Sequence, residues 1–194
     1  MRTASVWRAV ALGFLLVVAG CGGRAGGETV TAQPLPGVNF QADLRVEGAS
    51  LAIAYEVRNG GGRTVLVVTD TGSDGGADLQ LVDGGVVEIR QAVVAPSEGA
   101  FPPAVSAVEA VPLPSGHAHR QEFRLPLPLG QGRLYADGAP VDPEAMSGAR
   151  LCVGIVSVDP SALDAEPGQP MKLGETPDVA ERQWIACSDT VDLR

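Results

Sequence analysis

The sequence predicts an all-β fold: two packed antiparallel sheets built from seven or eight short strands joined by long loops. Three observations predict it. From Val38 onward the apolar residues fall into runs of strand length, several with a period of two. The 25 glycines and 15 prolines separate those runs rather than forming one low-complexity tract. Strands also do not alternate with long helical patterns, which argues against a Rossmann-like or barrel enzyme.

The elements begin before the strands. Arg2 and Arg8 form a positive stretch, and Ala9 to Gly20, AVALGFLLVVAG, is uninterruptedly small and apolar. A helix of that length covers about 18 Å, short of a hydrocarbon core of about 30 Å. Positive region, apolar run and small residues in that order are those of a secretory signal. Val18-Ala19-Gly20-Cys21 then resembles the lipobox of bacterial lipoproteins. That resemblance implies cleavage before Cys21, a diacylglyceryl group on its sulfur and, in many bacteria, an acyl group on the new amine. Two or more acyl chains make a durable anchor where one does not. By the same resemblance Gly22, where an aspartate would mark inner-membrane retention, implies the outer membrane in a Gram-negative host. Residues 1–20 are therefore read as a lipoprotein signal peptide, 21–37 as a flexible tether rich in glycine, and 38–194 as a single β domain.

Cleavage would remove two arginines and no carboxylate, taking the formal charge from −9 to −11. Such a balance opposes nucleic-acid binding and leaves no basic patch for anionic lipid. Membrane attachment then rests on Cys21, and an envelope protein is the expected partner; the oligomeric state is left open. With Cys21 acylated, Cys152 and Cys187 remain as an even pair in an oxidising compartment, and a disulfide between them is expected. It would close a loop of about 36 residues, worth roughly 4 kcal/mol on the chain-entropy estimate. Metal ligation is the competing reading, but two cysteines without a neighbouring Cys or His make a poor zinc set.

The strands follow in order. Val38–Val46 is a first or edge strand. Leu51–Val57 places Leu51, Ile53, Tyr55 and Val57 on one side, and with the turn 58–63 and the run Thr64–Val68 it reads as a hairpin. Asp78–Val82, the Asp83-Gly84-Gly85 reversal and Val86–Val94 read as a second hairpin. PSEGAFPP is a loop, Val105–Val111 a strand ending before Pro112, and Gln121–Leu127 a strand with Phe123, Leu125 and Leu127 on one face. After a long connection from Gly130 to Gly148, Leu151–Val158 is a strand. Asp159–Val179 is mostly loop with one helical turn, and Gln183–Cys187, followed by TVDL, is a last strand beside Leu151–Val158. The stretch LAIAYEVRNGGGRTVLVV, residues 51–68, resembles segments of small immunoglobulin-like bacterial modules and the opening hairpin of BsuPI-type proteinase-inhibitor domains. The resemblance implies an immunoglobulin-like sandwich, although Cys152 and Cys187 would join neighbouring late strands rather than opposite sheets.

No catalytic set emerges. His117 and His119, with Glu122 nearest, form an H-x-H pair that suits an exposed turn better than a metal. Asp70, Asp74 and Asp78 invite calcium but lack the EF-hand order and its terminal glutamate. Ser73, Ser97, Ser115 and Ser188 lie in no G-x-S-x-G elbow, and there is no phosphate loop, dinucleotide fingerprint or H-E-x-x-H. Trp184 is expected to pack on the terminal strands and Tyr55 within the first hairpin. The expected function is a lipid-anchored, non-enzymatic envelope module without cofactor, catalytic residues or metal. A ligand- or calcium-binding lipoprotein is the alternative, with a secreted proteinase inhibitor behind it.

Overall fold

The computed structural model describes residues 33–73, 75–94, 108–130, 142–159, 166–173 and 177–194. Cys21 and its signal, Asp74, and the whole PSEGAFPP loop with Ser97 lie outside the described residues. Among the described residues the chain is mostly β with almost no helix, in one antiparallel and one mixed sheet, an arrangement compatible with an all-β sandwich. No helix among them is long and apolar enough to cross a membrane.

The smaller sheet has three antiparallel strands, β1 (Val38–Glu47), β2 (Ser50–Asn59) and β7 (Ala118–Pro126), with β2 in the middle. Alternation in the sequence becomes alternation in burial. Leu51, Ile53, Tyr55 and Val57 of β2 are buried, flanked by Phe40, Ala42 and Leu44 of β1 and by Phe123 and Leu125 of β7. The folded part starts slightly before residue 38: Leu35 packs on the core and the Gly37 carbonyl accepts the Gly60 amide at 2.8 Å.

The larger sheet runs β4 (Asp78–Val82), β5 (Val86–Gln91), β8 (Gly148–Ser157), β3 (Val65–Asp70), β6 (Glu109–Leu113), β9 (Met171–Lys172). Two further strands, β10 (Trp184–Cys187) and β11 (Val191–Asp192), pair with β8. Residues 152 and 153 pair with both β5 and β10, and Ile155 with both β10 and β3. A strand residue has two edges, so β5 and β3 lie end to end along one edge of β8, with β11 and β10 along the other. The run LCVGIVSV suits this hub, because residues 151–156 are buried on both faces. Val87, Ile89, Leu151, Val153 and Ile155 meet the β2 residues in one core. The single α-helix among the described residues, α1 (Pro177–Arg182), begins at the end of the stretch expected to hold a helical turn and runs on to just before β10.

Three expectations need correction. β2 and β3 do not form a hairpin: β2 pairs with β1 and β7, and β3 belongs to the other sheet. The turn carries the chain between sheets, held by the fully buried Asn59 amide, which donates at 2.8 Å to the carbonyls of Arg63 and of Leu113. The strands are not all antiparallel and exceed eight: β5 and β8 are parallel, and eleven strands occur among the described residues. Residues 92–147 give the crossover a parallel pair requires. The β4–β5 turn, with Gly84 and Gly85 at φ 78° and 76°, is tied to the approach to β8 by bonds from Ser147 to the Gly84 and Gly85 carbonyls. Finally, β6 runs through Pro112. The Pro112 carbonyl accepts Gly168 N at 3.0 Å, so the missing N–H points away from β3, where no ladder bond is lost.

Candidate functional site

Three polar constellations stand out, none assembled from a single motif. The first lies on the face of the larger sheet turned away from the small one. Cys152 and Cys187 are opposite each other across the β8–β10 ladder and form the expected disulfide. Parallel register sets Glu88 opposite Arg150 and Arg90 opposite Cys152. Glu88, 4% exposed, accepts Arg90 Nε at 2.7 Å and Arg150 Nε at 3.1 Å. Burial pushes its pKa up, but hydrogen bonds from Arg150 and Arg90, with their charges, hold it below the ordinary carboxylate value. A Glu88 carboxylate oxygen and both sulfurs lie within 4.8 Å of one another. Cys152 is buried and Cys187 exposed. Behind this cluster Gln183 clamps the exit of β5, accepting Val93 N at 3.1 Å and donating to Val93 O. A Cβ at Gly154 would collide with that amide, so glycine there makes room for the clamp.

The second is the outer face of the small sheet. Register places Arg45, Ala52 and Arg124 in one cross-strand row and Asp43, Ala54 and Glu122 in the next, with Gln41, Glu56 and Arg120 beyond. The alanines floor a depression of about 520 Å³ whose walls include those four charged side chains. Several wall charges pair locally: Arg45 with Asp43, Arg124 with Glu47 at 2.6 Å, and Arg58 and Arg120 with Glu56. Arg120 and Arg58, by hydrogen bonding, hold the Glu56 pKa below the usual range. All four arginines are more than half exposed, so these pairs add little stability and leave the face open to recognition.

The third is buried between the sheets. A bulge between Val68 and Asp70 frees the Thr69 carbonyl. It accepts Gln91 Nε2 at 2.7 Å and Gln121 Nε2 at 3.2 Å. Gln121 Oε1 in turn accepts the Tyr55 hydroxyl at 2.8 Å, and burial raises the Tyr55 pKa. His119 lies beside Tyr55, ring centroids 6.1 Å apart; burial lowers its pKa, opposed by a hydrogen bond with Gln121. Gln91 Oε1, Thr71 Oγ1 and His119 Nε2 are buried without a partner among the described residues.

The residues singled out by sequence are dispersed among these features. His117 is exposed in a turn, its Nδ1 3.1 Å from the Ser115 carbonyl. His119 is half-buried on the inner side of β7, and Glu122 is on the outer side, so the three do not converge. The exposed-turn reading fits His117 and not His119. Asp70 accepts Gly72 N at 2.6 Å, while Asp78 accepts the Ser73 hydroxyl. Ser188 Oγ accepts Leu151 N at 3.1 Å. No histidine nitrogen bonds a serine hydroxyl among the described residues. Trp184, on β10, packs half-buried on the core, and Tyr55 packs on Phe40 of β1 rather than within a β2–β3 hairpin, which does not form.

Sequence reasoning missed Glu88, Arg90, Arg150, Gln91 and the pairing role of Gln121. One signal was available: in VVEIRQ, Glu88 and Arg90 are two apart within an apolar strand and must share a face. Comparison of the chain with protein-family models, with curated proteins and with solved structures finds no match in any of the three.

Proposed function

We propose that the chain is a lipid-anchored protein of the cell envelope, held by acyl chains on Cys21. Its folded part is then an immunoglobulin-like β-sandwich that serves as a non-enzymatic protein-interaction module, extracytoplasmic, and on the outer membrane in a Gram-negative host. The observation that carries the interaction reading is the outer face of the small sheet: a row of two arginines beside a row of two carboxylates over an alanine floor, in a chain of net charge −9. Charges of both signs side by side favour a protein surface of complementary pattern over a polyanion, since like-charge juxtaposition rejects uniformly charged partners. The disulfide supports an oxidising compartment, which accords with export and anchoring.

Two variants of the full chain test the reading. Cys21→Ser is expected to abolish incorporation of labelled fatty acid, and labelling that persists overturns the anchor. The double variant Arg45→Glu/Arg124→Glu is expected to lose a partner that brief crosslinking captures on the wild-type protein in its own membranes. Recovery of the same partners in equal yield would reject this face as the interaction surface.

A further inference from the structure

At the sequence a zinc reading of Cys152 and Cys187 competes with the disulfide but lacks a third ligand; the fold places a carboxylate beside the pair. We infer that, once the Cys152–Cys187 disulfide is reduced, the two sulfurs and the Glu88 carboxylate form a binding site for a thiophilic divalent cation of the zinc class. The three ligand atoms already lie within 4.8 Å of one another, and each belongs to a strand whose partner is fixed. Cys187 is opposite Cys152 in the β10–β8 ladder, and Glu88 is opposite Arg150, two residues before Cys152, in the β5–β8 ladder. The positions of the three ligand residues are therefore set by ladder register.

Charge and access agree. Two thiolates and a carboxylate around a divalent cation leave one negative charge, and Arg90 and Arg150 flank Glu88 to offset it. Cys187 is exposed, so a reductant can reach the sulfur and a water can occupy the fourth position of the tetrahedral set. Soft thiolate ligands select zinc-class ions over magnesium or calcium. The chemistry balances with a phosphine as reductant: the S–S bond breaks, the phosphorus takes an oxygen from water, and the two protons of that water end on the sulfurs. Metal binding then releases those two protons to solvent and forms two metal–sulfur bonds and one metal–oxygen bond. Disulfide and metal are mutually exclusive on the same sulfurs, so occupancy reports redox state.

The test uses the full chain carrying Cys21→Ser, so that the only thiols are those of the pair, with cobalt(II) as optical probe. After phosphine reduction, cobalt is expected to give a thiolate-to-metal charge-transfer band and tetrahedral d–d bands, with no band before reduction. Glu88→Gln is expected to raise the cobalt dissociation constant at least about tenfold, and Cys187→Ser to remove the charge-transfer band. Three results overturn the inference: a reduced, folded chain without the band, an unchanged dissociation constant in Glu88→Gln, or loss of the β circular-dichroism signal on reduction alone.

Discussion

Gln91 and Gln121, on strands of opposite sheets, donate their side-chain amides to the same acceptor, the Thr69 carbonyl, at 2.7 and 3.2 Å. The bulge that frees this carbonyl is thereby answered from both layers, and Gln121 passes the chain on to the Tyr55 hydroxyl. The two sheets are joined here by polar contacts inside an otherwise apolar core.

Replacing Gln121 by leucine is expected to cost about 1–3 kcal/mol, because it leaves the buried Tyr55 hydroxyl without its acceptor. Adding Tyr55→Phe removes that stranded hydroxyl. The double variant should therefore be less destabilised than the two single changes predict, by roughly 1 kcal/mol. Urea midpoints at constant m-value measure this, and strict additivity would dissolve the proposed chain.

Removing the disulfide as Cys152→Ala/Cys187→Ala tests its contribution to the fold. The bridge spans 35 residues, and the chain-entropy estimate for such a loop is roughly 4 kcal/mol. A loss below about 1 kcal/mol would mean that the unbridged chain is already constrained in its unfolded state.

Glu88 sets an acid limb. Its folded pKa lies below the ordinary 4.5, so its contribution is fully present above that value and is lost as pH falls through the depressed folded value. Glu88→Gln leaves the partly exposed Arg90 and Arg150 without their shared counter-charge and is expected to cost about 1–3 kcal/mol near neutrality. The wild-type and variant stability curves should converge in acid; a constant gap between about pH 3 and 7 would assign the effect to packing instead.

His119 acts in a higher window and by the opposite route. Burial lowers its folded pKa below 6.5, so the unfolded chain binds the proton more readily. Stability then falls as pH drops from 6.5 towards the folded value, and His119→Gln should flatten that slope while leaving the Glu88 limb intact. NMR titration of the His119 ring should give a midpoint below 6.5, and a midpoint above it refutes the account.

How far the sequence carries the structure depends on the range of the interaction. The β1 and β2 alternations, the Asp-Gly-Gly reversal between β4 and β5, and the apolar run of β8 are local patterns, and each folds as its period and turn residues dictate. The proximity of Cys152 to Cys187 was also legible, because both cysteines sit in adjoining strand-like runs late in the chain. Partner choice was not. The run from Leu51 to Val68 has the composition of a hairpin, yet Asn59 turns it into a passage between sheets by bonding to Leu113, 54 residues away. Nor does anything near Val86–Gln91 announce a parallel partner at Gly148–Val153.

What the sequence by itself determined, then, is where most of the longer strands run and which face of most of them is apolar, since those follow from side-chain periodicity and backbone conformational preference. The short β9, inside a stretch read as loop, was not among them. Tertiary structure alone decided which edges meet and, through register, that Glu88 lies beside two arginines and two sulfurs and that Gln91 and Gln121 share one carbonyl. The physical reason is that backbone ladder bonds are the same for every residue with an N–H and a carbonyl. Pairing is chosen by the summed burial of whole faces, and the polar groups brought together are a consequence of that choice rather than of any motif.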